Sequence, residues 1–177
     1  MAEDNKTIED KLIQALEWYD SDTRLKRIER IKWVGQYEIS GGIVGKVEAM
    51  SLLGEARDCY VQGHFIATLM LATALIEHVI AEELVDTNKG NYNTNFIDSI
   101  KCARKEKLFP SELLATADKL RELRNPFAHL KPPNHKHSLG NRYISQNRHP
   151  EAVKEEDAKE AIVAMFACFK HTLRPLI

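Results

Sequence analysis

Residues 64–85, HFIATLMLATALIEHVIAEELV, constrain the fold more than any other part of the chain. A helix drawn through them is apolar on almost all sides, and such a helix must be enclosed by others. The richest portion, residues 65–80, is interrupted by Thr68, Thr73, Glu77 and His78, and it falls short of the roughly 20 apolar residues that span a bilayer. The expectation is a buried central helix in a cytoplasmic protein, with no membrane partner. Elsewhere the periodicity is helical almost throughout, with few β-branched alternations and few short turn-bounded strands.

Four long helical stretches and one shorter piece make up the main domain. Residues 48–62 place Leu52, Leu53, Ala56, Cys59 and Tyr60 at apolar positions and stop at Gly63. Residues 64–85 follow. After the polar loop DTNKGNYNTN comes a shorter amphipathic piece, residues 96–108, and Pro110 and Ser111 then restart the chain as a further helix. The last stretch, residues 155–173, carries a stripe of Ala158, Ala161, Ile162, Met165, Phe166, Phe169 and Leu173. This pattern predicts an all-α fold, an antiparallel four-helix bundle over residues 46–177.

Residues 1–45 read as an N-terminal helical appendage. Thr7 with Asp10 starts a helix on which Ile8, Leu12, Ala15, Leu16 and Tyr19 share one side. Ser21 and Asp22 are expected to end it. A second segment, TRLKRIERIKWVGQY, spaces Leu25, Ile28 and Ile31 helically among Arg24, Lys26, Arg27, Arg30 and Lys32; basic residues on such a face are ordinarily solvated, and a nucleic-acid role is the lesser alternative. SGGIVGKV, residues 40–47, marks the junction with the main domain. It lacks the spacing and the Ser/Thr of a phosphate-cradling P-loop.

Composition agrees. A chain of 177 residues suits one domain with an appendage. With 44% hydrophobic and 29% charged residues it belongs with globular proteins, not with disordered or fibrous ones. The net charge of −1 excludes a global polycation, so nucleic-acid binding has to come from local patches. Cys59, Cys102 and Cys168 stand alone, with neither disulfide nor zinc spacing, and read as small apolar residues in a reducing compartment. The start, MAEDNKTIEDKL, has no basic region followed by an apolar run and does not resemble a secretory leader.

The chemistry-bearing stretch is DKLRELRNPFAHL, residues 118–130. Leu113, Leu120, Leu123, Phe127 and Leu130 form a row expected to face the core, and Arg121, Arg124, Asn125 and Ala128 fall on the strip beside it. Arg124 and His129 would lie roughly 140° apart on a straight helix. Pro126 cannot donate to the carbonyl of Glu122, and it disfavours helical geometry at Asn125. The last turn is therefore expected to kink and re-aim His129. The plainer alternative is that Pro126 only ends the helix, with Arg124 in a surface ion pair and His129 favoured by the helix dipole.

RNPFAH, residues 124–129, resembles the Arg, four to six residues, His signature of the HEPN superfamily, including the asparagine that commonly follows the arginine. ARDCYVQGHFIATLMLATALIEHVIAEEL is similar to the family's first two bundle helices, with Glu77 as the acidic residue inside the second. The resemblance covers roughly residues 46–173 and leaves 1–45 unexplained. It implies a metal-independent endoribonuclease acting as a homodimer, with Arg124, Asn125 and His129 of both protomers in one cleft. No cofactor is implied. Histidine, with an ordinary pKa of about 6.5, suits proton transfer from a 2′-hydroxyl or to a departing 5′-oxygen. Arginine suits the charge that develops on phosphorane oxygens. Asparagine can hydrogen-bond the phosphate or hold the arginine. The product end would be a 2′,3′-cyclic phosphate. Such proteins serve in toxin–antitoxin systems, phage defence or RNA processing, and others are non-catalytic modules that bind RNA, nucleotide or a protein partner. Members paired with nucleotidyltransferase antitoxins carry a tyrosine two positions after the histidine. Here that position is Lys131, which weighs against that route of regulation.

Glu77, on an apolar helix, needs a partner, and Arg124 is the expected one, held from behind. The segment KPPNHKHSLGNRYISQNRHP, residues 131–150, has no acid. It reads either as an RNA-contacting loop, with Lys131, Lys136 and Arg142 toward phosphate, joined by Arg121 of the preceding helix, and Tyr143 toward a base, or as an ordinary exposed loop. Lys101, Arg104, Lys105 and Lys107 form a second basic cluster. His135, His137 and His149 lie in a polar segment that itself holds no Cys or acidic residue, so no metal site is assigned there.

Overall fold

A computed structural model describes residues 7–39, 46–132 and 134–173. The described residues are all-α, with helices α1 (Ile8–Val34), α2 (Val47–Gln62), α3 (Phe65–Asp86), α4 (Phe96–Lys105), α5 (Ser111–Ala128), α6 (Leu139–Gln146) and α7 (Pro150–Thr172). Most of the junction at residues 40–47 lies outside the described residues.

Helix α3 is the centre, packed against α2, α4, α5 and α7. By length and composition it could cross a membrane, but here Leu69, Leu75, Ile76, Ile80 and Leu84 are buried among the surrounding helices. Its two buried threonines are accommodated locally. Thr73 Oγ1 donates to the Leu69 carbonyl at 2.6 Å and Thr68 Oγ1 to that of His64 at 3.0 Å, bonds that satisfy a hydroxyl inside a helix without a tertiary partner. Tyr60, Ile100, Leu114, Leu120, Ile162 and Met165 complete the fully buried core.

Helix α1 differs from its expected form. Ser21 and Asp22 do not end it, and one helix of 27 residues runs from a Thr7/Asp10 capping box to Gly35. Neither glycine nor proline occurs between Ile8 and Val34 to stop it, Asp20 ion-pairs with Arg24 at 2.5 Å and with Arg27, and Thr23 bonds back to the Tyr19 carbonyl at 2.9 Å. Links one turn apart stabilise an exposed helix through its middle. Only its C-terminal end joins the body: Val34 is fully buried, and Trp33 packs on Tyr60 with ring centroids 5.0 Å apart. Arg30 reaches the Val61 carbonyl at 3.3 Å and lies over the Phe65 ring. Gly63, which ends α2 with φ 85°, sits under that arginine, and a Cβ there would come within 2.8 Å of its guanidinium.

Two other expectations change. Within the segment expected to be a loop, residues 139–146 form a helix: Ser138 caps α6 by accepting from the Asn141 N–H at 3.4 Å. Helix α7 begins at Pro150, not 155, with the His149 ring accepting from the Glu151 N–H at 3.2 Å. Proline at a first helical position lacks only a donor that would have no partner there.

Candidate functional site

Helix α5 presents Leu114, Ala117, Leu120 and Leu123 to the core, with Leu113 and Phe127 partly buried against it. Leu130 does not belong to that row. It is fully exposed, because the helix has already ended at Ala128 and the helical phase no longer applies.

Pro126 behaves differently from the expectation. The backbone stays helical through Asn125 and Pro126 to Ala128, and His129 is the first extended residue, at φ −141° and ψ 137°. The turn closes with the His129 N–H donating to the Asn125 carbonyl at 2.9 Å. Proline removes one amide donor here, yet Phe127 still packs on the core, and burial of an aromatic ring offsets a lost backbone bond. His129 is thus aimed by the end of the helix.

Arg124 meets Glu77 of α3 as expected, with an Arg124 guanidinium nitrogen 3.1 Å from Glu77 Oε2. The two side chains are 20% and 34% exposed, so the pair is neither dry nor freely solvated. Arg124 Nε is buried without a hydrogen-bond partner. Asn125 is half-buried and His129 exposed. Together these residues form one end of α5, with a guanidinium fixed from behind by a carboxylate and an imidazole at the following turn.

The proposed RNA-contacting residues are distributed less favourably. Arg121 is held by Asp118, Nε to Oδ1 at 2.8 Å. Arg142 on α6 is clamped by Asp157 of α7 through two bonds of 2.5 Å, and Asp157 is 3% exposed. Lys136 stands 3.6 Å from Glu122. Lys131 has no ion pair among the described residues, and Tyr143 is 38% exposed. Of the second cluster, Lys101 is tied to Asp98 at 3.2 Å, while Arg104, Lys105 and Lys107 are exposed.

The sequence reading did not anticipate how Lys136 and His137 meet Glu122 on α5. His137 Nε2 lies 2.7 Å from Glu122 Oε2, within ion-pair distance, although the ring N–H is not aligned for a hydrogen bond. Burial, outweighing the attraction of Glu122, holds its pKa below the ordinary histidine value. His135 accepts from the His137 N–H at 3.3 Å. No local sequence signal joins Glu122 to His137, because the pair depends on how the chain returns after Pro132. A groove of about 500 Å³ beside Glu77 is lined by Lys46, Glu48, His78, Glu82 and Tyr92, and its three carboxylates make it a poor channel for phosphate.

The chain was compared with protein-family models, curated proteins and solved structures, and none of them matches it.

Proposed function

We propose that the protein is a metal-independent endoribonuclease of the HEPN type, acting as a cytoplasmic homodimer in which the α2, α3, α5 and α7 bundle carries Arg124, Asn125 and His129 into a shared cleft. The observation that carries this reading is Arg124 backed by Glu77, one turn before a histidine that stands exposed where the helix ends. A carboxylate behind a guanidinium fixes its direction and leaves its outer edge for an anion.

In this reading His129 takes the proton from a ribose 2′-hydroxyl as that oxygen attacks the phosphorus. The bond to the 5′-oxygen breaks, and the 5′-oxygen takes a proton from the partner's His129. The products are a 2′,3′-cyclic phosphate and a 5′-hydroxyl. Arg124 stabilises the charge on the non-bridging oxygens, and Asn125 orients the phosphate.

The test is cleavage of a labelled structured RNA in EDTA. Wild type should cut and leave cyclic phosphate, and His129→Ala should lose on the order of 10²-fold or more in rate. Ends other than cyclic phosphate, or undiminished cutting by the mutant, would overturn the reading. The second reading is a non-catalytic module that binds RNA, nucleotide or protein; Arg121 and Arg142, already neutralised by Asp118 and Asp157, leave less basic surface for a long RNA and so favour its nucleotide or protein forms. RNA binding without cutting, weakened by Arg124→Ala, would establish it.

A further inference from the structure

The exposed face of α1 continues an interface that the fold has already built. Leu12, Ala15 and Leu16 precede Arg30, Trp33 and Val34 by about five full turns at ~3.6 residues per turn, so both sets lie on one side of the helix. At the C-terminal end that side is seated on α2 and the core. At the N-terminal end it has nothing beneath it among the described residues: Ile8, Leu12 and Leu16 are 80%, 61% and 68% exposed. A helix of this length extends roughly 40 Å at ~1.5 Å per residue, and its N-terminal half runs past the body that supports its C-terminal half.

A second apolar strip lies about a third of the circumference away. Trp18 and Leu25 are 71% and 73% exposed and stand about two turns apart, on one line. Charge is segregated along the same helix. Glu9, Asp10, Glu17, Asp20 and Asp22 against Lys11 make the first half acidic, and Arg24, Lys26, Arg27, Arg30 and Lys32 against Glu29 make the second half basic.

We infer that α1 is an exchange arm for a second copy of this chain, the two helices lying antiparallel about a two-fold axis near Ser21 and Asp22. This register sets the acidic half of each helix along the basic half of the other. A parallel pair would instead align like charge with like. It brings Trp18 opposite Leu25 of the partner subunit. It also lays the Ile8, Leu12 and Leu16 face over the partner's body, beside the surface on which the partner's own helix rests. Such an interface is isologous and closed, as a two-fold dimer requires.

The inference does not rest on the ribonuclease reading, since its measurements are mass and cross-linking. Light scattering of the full chain at tens of micromolar should give twice the monomer mass. The variant Leu12→Asp/Leu16→Asp, and separately Trp18→Ala/Leu25→Ala, should weaken the dimer at least tenfold with helicity unchanged, because these side chains are solvent-exposed in the protomer.

Direction is read by mixing Lys11→Cys protein with Lys32→Cys protein, both in a Cys59→Ser/Cys102→Ser background. A short bismaleimide should join the two variants to each other, while neither variant joins to itself. A monomer at that concentration, a dimer indifferent to both double variants, or cross-links within either single variant would overturn the inference.

Discussion

Arg124 and Arg142 are both arginines paired with a carboxylate on another helix, and the two pairs differ in kind. Arg142 and Asp157 meet through two bonds, with Asp157 buried and the arginine side chain 13% exposed. Both oxygens of that carboxylate are engaged by one partner, and α6 is pinned to α7. Arg124 touches Glu77 through a single bond, both side chains remain partly exposed, and its Nε is unpaired. The buried two-point contact marks the first pair as a structural clamp, whereas the second pair leaves part of its guanidinium facing solvent, where the proposed function needs it, with Nε itself buried.

Stability measurements can break this distinction. Asp157→Ala leaves a largely buried guanidinium without its counter-charge and should cost about 3 kcal/mol or more, which for a chain of this size lowers the melting temperature by roughly 10 °C. A loss no larger than that of an exposed pair would refute the clamp. Arg124→Ala should cost about 1 kcal/mol or less, because Glu77 is left partly in water, while RNA cleavage or binding falls sharply. If melting drops as far as in Asp157→Ala, Arg124 is a structural residue and the functional reading loses its anchor. Glu77→Gln sharpens the comparison further. It keeps the shape but removes the charge behind Arg124, so stability should change by less than about 1 kcal/mol and cleavage should fall less than in Arg124→Ala.

The smallest expected effect concerns His137. Its pKa is depressed in the folded protein by burial, so the unfolded chain binds the proton more readily. The associated stability is present above the ordinary value near 6.5 and is lost as pH falls through it toward the folded value. Melting curves between pH 7.5 and 5.5 should show a small decline that His137→Gln reduces. An unchanged slope would mean that the attraction of Glu122 cancels burial together with the repulsion of Lys136 and His135.

The cysteines illustrate how much a short motif reading can carry. Cys168 is buried, and burial pushes its thiol up to about 12, and Cys102 donates weakly to the Lys89 carbonyl. Both act as the packing residues that their isolated spacing implies. The basic run of α1 was legible as a helix face but not as to purpose. Arg24 and Arg27 are tied to Asp20 and Arg30 to the body, contacts that no pattern within the run itself reveals.

Local chemistry settled what the sequence could determine alone: the helical periods, the Thr7 capping box, the Gly63 stop, the restart at Ser111 and the single helix that had to be central. Each depends on residues within a few turns of one another, or on an apolar content that admits only burial. Tertiary structure decided which ends carry weight. It kept α5 helical through Pro126 because Phe127 had a core to join, turned residues 139–146 into a helix docked by Arg142, and placed His137 on Glu122. It also carried α1 past the body that seats it. These outcomes come from side chains brought together across many residues, fifteen in the case of Arg142 and Asp157, where the free energy belongs to the contact and neither partner records it in its own neighbourhood of sequence.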